Sequence, residues 1–149
     1  MHRVFVYGTL KRGNGNHSLL AESKFVEASA TLKPFWMITT TFPIVLDDVR
    51  DDFAGAHGPI AGEIYHVDDG TLAQLDRLER VGRSYDRKVT EVTENGKIVQ
   101  GYIYIGCPDY WHRQRLPSWS QMNKAGALDW DQRLALNACG AGAALAAAR

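Results

Sequence analysis

Asn95-Gly96, set between two β-rich runs, constrains the fold of this chain more than any other pair of residues in it. Both central positions of a type I′ turn need a positive φ, which Asn and Gly tolerate best, and that turn matches the twist of the strands it joins. Tyr85 to Thr93 precedes it and Ile98 to Ile105 follows it, both rich in β-branched and aromatic residues. An antiparallel hairpin follows, and with it a sheet. Ile60 to Val67 is a further strand, placing Ile60, Gly62 and Ile64 on one face and Glu63 and Tyr65 on the other. Phe25 to Leu32, anchored by Phe25, Ala28 and Leu32, reads as another. After Pro34, Phe35 to Thr40 resumes as a strand, and Phe42 to Leu46 forms a third apolar run that Pro43 confines to an edge or bulge.

Asp69 to Val81 has helix grammar instead. Thr71 and Gln74 fit a capping box, Asp68 and Asp69 complement the helix dipole, and Gly82 fits the C-terminal stop. Asn16 is placed to cap a short helix through His17 to Ala21, and Asp129 one through Leu136. Asp47 to Pro59 reads as a polar surface loop and Pro108 to Pro117 as aromatic and irregular. Asn137 to Arg149 is Ala/Gly-rich, either a frayed helix or a small-residue packing surface. With no repeat and no domain boundary, residues 1–149 read as a single α+β domain, a small mixed β-barrel with flanking helices.

Composition narrows the function. Lys+Arg and Asp+Glu balance at 17 each, so no global field draws in nucleic acid or an anionic membrane. Cys107 and Cys139 form no CxxC pair, and the five histidines have no metal-ligand spacing, so no metal site is expected. No apolar run reaches membrane-spanning length, and the expectation is a soluble, cytoplasmic protein.

Two places carry chemistry. The first is Val4 to Gly13, where the β-rich Val4-Phe5-Val6-Tyr7 ends abruptly in Gly8. It reads either as an edge strand with a loop or as a strand–glycine turn whose consecutive N–H groups bind an anion or a developing oxyanion. Tyr7 is open to two roles, core aromatic or substrate contact; Lys11 and Arg12 read as solvent-facing. The second place is Glu79. At about 100° per residue it falls inside the arc that Leu72, Leu75 and Leu78 define as the buried stripe of their helix. A carboxylate there is either a boundary residue held by an arginine such as Arg83 or Arg87, or a group whose raised pKa suits proton transfer. Glu63 is a competing carboxylate, and Cys107 and Ser84 read as structural.

Tyr7-Gly8-Thr9-Leu10-Lys11-Arg12-Gly13, with Asn16-His17 beyond, resembles the signature of the γ-glutamylcyclotransferase-like (AIG2-like) family, most like its γ-glutamylamine cyclotransferase branch. Leu75-Asp76-Arg77-Leu78-Glu79, followed by Tyr85-Asp86-Arg87, is similar to the family's second signature. The likeness covers about Val4 to Tyr104. It implies catalysis by Glu79 as acid/base, substrate binding by Tyr7, Gly8, Thr9 and Leu10, and Tyr85 lining the site. The implied reaction turns a γ-glutamyl amine into 5-oxoproline and free amine without a cofactor. γ-Glutamyl amino acids or peptides are the alternative substrates, and a non-catalytic docking module is the alternative class. Trp36, Tyr104 and Trp111 are either core or the wall of a leaving-amine pocket.

Overall fold

The computed structural model describes residues 1–39, 42–49, 55–112, 121–122 and 126–130. Eight strands make up most of it: β1 (His2–Val6), β2 (Lys24–Ala30), β3 (Phe35–Thr39), β4 (Pro43–Leu46), β5 (Ala56–Gly58), β6 (Ala61–Val67), β7 (Tyr85–Glu94) and β8 (Lys97–Gly106). Between and after them lie α1 (Asp69–Leu78), the one-turn α2 (Pro108–His112) and the two-residue strands β9 (Gln121–Met122) and β10 (Leu128–Asp129).

β1 is a central strand, not an edge. It runs antiparallel to β6 and parallel to β8 in a sheet of order β2-β6-β1-β8-β7. Both faces of β1 are covered, which is why its sequence is a continuous apolar run and not an alternation. Val4 and Val6 pack with Leu72 and Leu75 of α1, while Phe5 and Tyr7 pack on the other side with Met37, Val45, Ile64 and Ile103. The second core is shared with the small sheet β4-β3-β5, which covers the inner face of the larger one. The larger sheet curls until β2 approaches β7, where a single bridge joins Thr31 to Val92 and the Leu32 N–H donates to Glu91 O at 3.1 Å. No continuous ladder closes it, so the α+β, barrel-like expectation holds with an incompletely closed wall.

The hairpin forms as its turn residues require: Asn95 has φ 52° and Gly96 φ 77°, and β7 and β8 pair from Tyr85–Gly106 to Glu94–Lys97. Other details differ from the sequence reading. Asp68, not Thr71, caps α1, its carboxylate accepting from the Thr71 N–H at 2.7 Å. Gly82 does not end the helix. The left-handed residue is Arg80 (φ 49°), with the Arg80 N–H on Arg77 O at 3.2 Å and the Val81 N–H on Asp76 O at 3.1 Å, the paired bonds of a Schellman turn. A side chain in this conformation costs about 1–2 kcal/mol, which tertiary packing offsets. Ala28 and Leu32 are exposed rather than anchors, because β2 slips register between Phe25 and Glu27. The 47–59 loop contains β5, and the 108–117 stretch opens with α2. Asp129 of β10 pairs with Gln121 of β9; the expected helix beyond it and the Ala/Gly-rich tail lie outside the described residues.

No helix among the described residues is long and apolar enough to cross a membrane.

Candidate active site

The chain leaves β1 into a loop that disposes of its own carbonyl groups. Gly8 O accepts from the Lys11 N–H at 3.0 Å and from Asn14 Nδ2 at 2.9 Å. Thr9 O accepts from the Asn16 N–H at 2.9 Å, and His17 Nδ1 donates to Leu10 O at 2.9 Å. Asn16 therefore serves the loop instead of capping a helix: its Nδ2 also donates to Thr9 Oγ1 at 2.9 Å, and only a 3-10 turn, His17–Leu20, follows. Three consecutive carbonyls are thus engaged, and Gly8, Thr9 and Leu10 all line one cleft. Gly8 is required for close packing: a Cβ there would lie 2.9 Å from Pro43 Cγ.

Glu63 braces this loop from outside. Its carboxylate accepts from the Arg12 N–H at 2.9 Å and from the Tyr65 hydroxyl at 3.1 Å, and the Arg12 guanidinium lies 3.8 Å over the Phe25 ring. Its competing claim as a reacting carboxylate has little to stand on, since both partners tie it to the fold. Lys11 is not solvent-facing. Its ammonium is mostly buried and pairs with Asp129 at 3.0 Å, pinning the β10 segment to the loop.

The opposite wall comes from the C-terminal end of α1. Glu79, the residue that caps the helix, is half-buried and lines the same cleft as Tyr7, Gly8, Thr9, Leu10 and Tyr85. All six residues singled out in the sequence thus converge on one cavity, from β1, its loop, the end of α1 and the start of β7. Phe42, Pro43 and Tyr104 complete the parts of its wall that matter for an organic ligand. Of the two arginines considered for Glu79, Arg87 donates to Asp76 at 2.6 Å and Arg83 is exposed.

Two phenols of the cleft, Tyr7 and Tyr104, stay neutral. The buried Tyr7 hydroxyl donates to Tyr104 O at 2.6 Å. Burial first, and then the charge of Glu79, push its pKa well above the ordinary value. The Tyr104 hydroxyl donates to Asp76 at 2.8 Å. It is raised by burial, by that bond and by the Asp76 charge, with Arg87 opposing and Glu79 adding a smaller push. Tyr85 is buried, with its hydroxyl 3.5 Å from Pro43 O. Tyr104, of the three aromatics considered for a leaving-group wall, lines the cleft itself. Trp111 lies behind it, edge-on to both Phe42 (5.8 Å) and Tyr85 (5.6 Å), and Trp36 packs on His57 at 4.3 Å, away from it. Ser84 is fully buried and Cys107 half-buried, neither on the cleft wall.

The roles of Phe42 and Pro43 were not visible in sequence, since only the fold carries β4 to the mouth of the loop. Asp76 had a signal: it precedes Glu79 by three residues, the spacing that shares a helix face.

A model of the family described as gamma-glutamyl cyclotransferase, AIG2-like, matches residues 4–126. A putative gamma-glutamylcyclotransferase of Vibrio cholerae is 36% identical over 135 residues, covering 89% of this chain and 98% of that protein. Gamma-glutamylaminecyclotransferase C of Danio rerio is 31% identical over 117 residues, covering 69% of this chain and 74% of that one. The crystal structure of an AIG2-like protein from Mus musculus superposes with a TM-score of 0.63 at 27% identity, covering 88% of this chain and 95% of that one.

Proposed function

Since this chain belongs to the gamma-glutamyl cyclotransferase, AIG2-like family, we propose that it converts a γ-glutamyl amine into 5-oxoproline and the free amine. The reaction is an intramolecular acyl transfer. The α-amine nitrogen attacks the γ-carbonyl carbon, the carbonyl electrons move onto oxygen, and the tetrahedral intermediate collapses with cleavage of the bond to the leaving nitrogen. The attacking nitrogen must lose a proton and the leaving nitrogen must gain one. One carboxylate between them serves both steps, and Glu79 is the carboxylate of the cleft wall among the described residues. The oxyanion and the substrate α-carboxylate need donors, which the N–H groups from Gly8 to Leu10 supply. Tyr7 and Tyr85 hold the glutamyl chain in its folded, ring-forming shape, an entropic contribution made before the chemistry begins.

The observation that carries this reading is the convergence of Glu79 and the Gly8–Leu10 loop on one cavity. The aromatic edge formed by Phe42, Tyr85 and Tyr104 supports an amine with an apolar body as the leaving group. The curated relative in Danio rerio that is called a gamma-glutamylaminecyclotransferase supports the same branch. The protein is read as one domain that acts on a small molecule in the cytoplasm.

The test is product analysis across γ-glutamyl-ε-lysine, simple γ-glutamyl alkylamines, γ-glutamyl amino acids and glutathione. The expected result is 5-oxoproline and amine in equal amounts, fastest from a γ-glutamyl amine. Fastest release from γ-glutamyl amino acids would move the protein to that substrate class, and no 5-oxoproline from any of them would refute the proposal.

A further inference from the structure

The cyclisation chemistry leaves one group at the cleft unexplained. Asp76 is saturated from two strands: Arg87 of β7 donates to Oδ2 at 2.6 Å and the Tyr104 hydroxyl of β8 donates to Oδ1 at 2.8 Å. Tyr104 lines the cleft beside Glu79. Asp76 lies three residues before Glu79, so two carboxylates follow one another on the same side of α1. Like charges at that spacing raise each other's proton affinity, and an arginine on one of them cancels most of the effect. Resting on the reading of Glu79 as the proton carrier, we propose that the Asp76–Arg87 pair, joined to the cleft through the Tyr104 phenol, is a positioning device that sets the proton affinity of Glu79.

The pair is neutral as a whole, but its halves stand on different elements. Asp76 shares α1 with Glu79, while Arg87 reaches in from β7. Loss of either half leaves the other's charge acting on Glu79 in a half-buried site, where water screens it incompletely. The Tyr104 hydroxyl has one hydrogen, and it is donated in the bond to Asp76. Among the described residues of the cleft wall, the other titratable groups are Tyr7 and Tyr85, phenols that ordinarily ionise near pH 10. The 42–43 segment contributes only Phe42 and Pro43. Arg77, Arg80 and Arg83 near the helix end are exposed and screened by water. Among the described residues, the Asp76–Arg87 pair is a charged feature joined to the cleft wall through Tyr104.

A purely mechanical brace between α1 and the hairpin makes a different prediction, because breaking it from either side would have the same consequence. The decisive measurement is the pH titration of the Glu79 carboxyl carbon by NMR, assigned by its loss in Glu79→Gln. It would be followed in wild type, Asp76→Asn, Arg87→Met and the double variant. Asp76→Asn uncovers a positive charge and moves the Glu79 titration to lower pH. Arg87→Met uncovers a negative charge and moves it to higher pH, each by about half a unit or more, and the double variant returns near wild type. Shifts in the same direction, or none, overturn the proposal. If Asp76→Asn does not fold, Arg87→Met decides alone: an upward shift supports the pair's role and an unmoved titration refutes it. The acid limb of kcat/KM against pH should follow the same opposite displacements. Absence of turnover in wild type would defeat the cyclotransferase reading while the NMR shifts still judge the pair. Turnover that depends on Glu79 but an unmoved titration would defeat this inference alone.

Discussion

Along the Gly8–Leu10 side of the cleft, the side chains of Asn14, Asn16 and His17 bond to the loop and fix its course. On the other side Glu79 lines the cleft from the end of α1, where the chain passes through the left-handed turn at Arg80. The difference separates two kinds of tolerance. A wall of backbone donors is sensitive to volume and loop geometry but indifferent to charge, whereas a wall of ionisable side chains is sensitive to charge and proton affinity. The same contrast divides binding, which the loop is read to supply, from proton transfer, assigned to the helix end.

The largest effect expected is on the charged wall. Glu79→Gln preserves shape and removes the proton acceptor, so kcat falls by about a hundredfold or more while the unfolding midpoint changes little. Next comes the backbone wall. Gly8→Ala drives a Cβ to 2.9 Å from Pro43 Cγ, and the rigid ring gives way less readily than the loop. Steady-state kinetics should show kcat/KM reduced about tenfold or more through the displaced donors, because ångström shifts are costly to a positioned reaction. Activity unchanged in Gly8→Ala would break the distinction between the walls.

How much of this was legible in the sequence follows from how local each cause is. The hairpin was readable because Asn95 and Gly96 determine their own turn. The loop after β1 was readable as a candidate site because its glycine and amide residues act within a span of ten. Glu79 was readable because helical periodicity places it without tertiary knowledge. Lys11 was not: its partner Asp129 is 118 residues away in sequence, and only the fold buries the pair. The stop of α1 escaped for a related reason. Gly82 is the locally favoured residue, yet packing puts the left-handed position on Arg80, at φ 49°, and uses Gly82 in a later turn at φ 90°. β1 could be read as edge or interior because a short apolar run does not say how many of its faces are covered.

Two smaller effects sharpen the contrast. Arg80→Gly relieves the left-handed strain beside Glu79 and should stabilise the fold by about 0.5–1 kcal/mol, less than the strain itself because glycine also gains freedom when unfolded. Calorimetry should show a midpoint higher by about 1–4 °C. A lowered midpoint would mean the arginine side chain holds the turn. The smallest effect lies away from the cleft. The Arg3 guanidinium bonded to Glu94, and then its charge and His66, hold that carboxyl below its ordinary 4.5. A pKa lower in the folded state gives stability that is present above 4.5 and lost as pH falls below it. Arg3→Met should therefore flatten the acid side of the stability curve, measured by thermal melts, and leave the pH profile of activity in place.

The most direct test of the central claim measures binding and turnover together for wild type and Glu79→Gln on a γ-glutamyl amine. Calorimetric binding of the intact substrate to Glu79→Gln and chromatographic quantification of 5-oxoproline from both proteins are sufficient. The account predicts that the variant still binds, because the Gly8–Leu10 wall is intact, and that 5-oxoproline and amine appear one for one with wild type alone. Turnover by folded Glu79→Gln near the wild-type rate would contradict it.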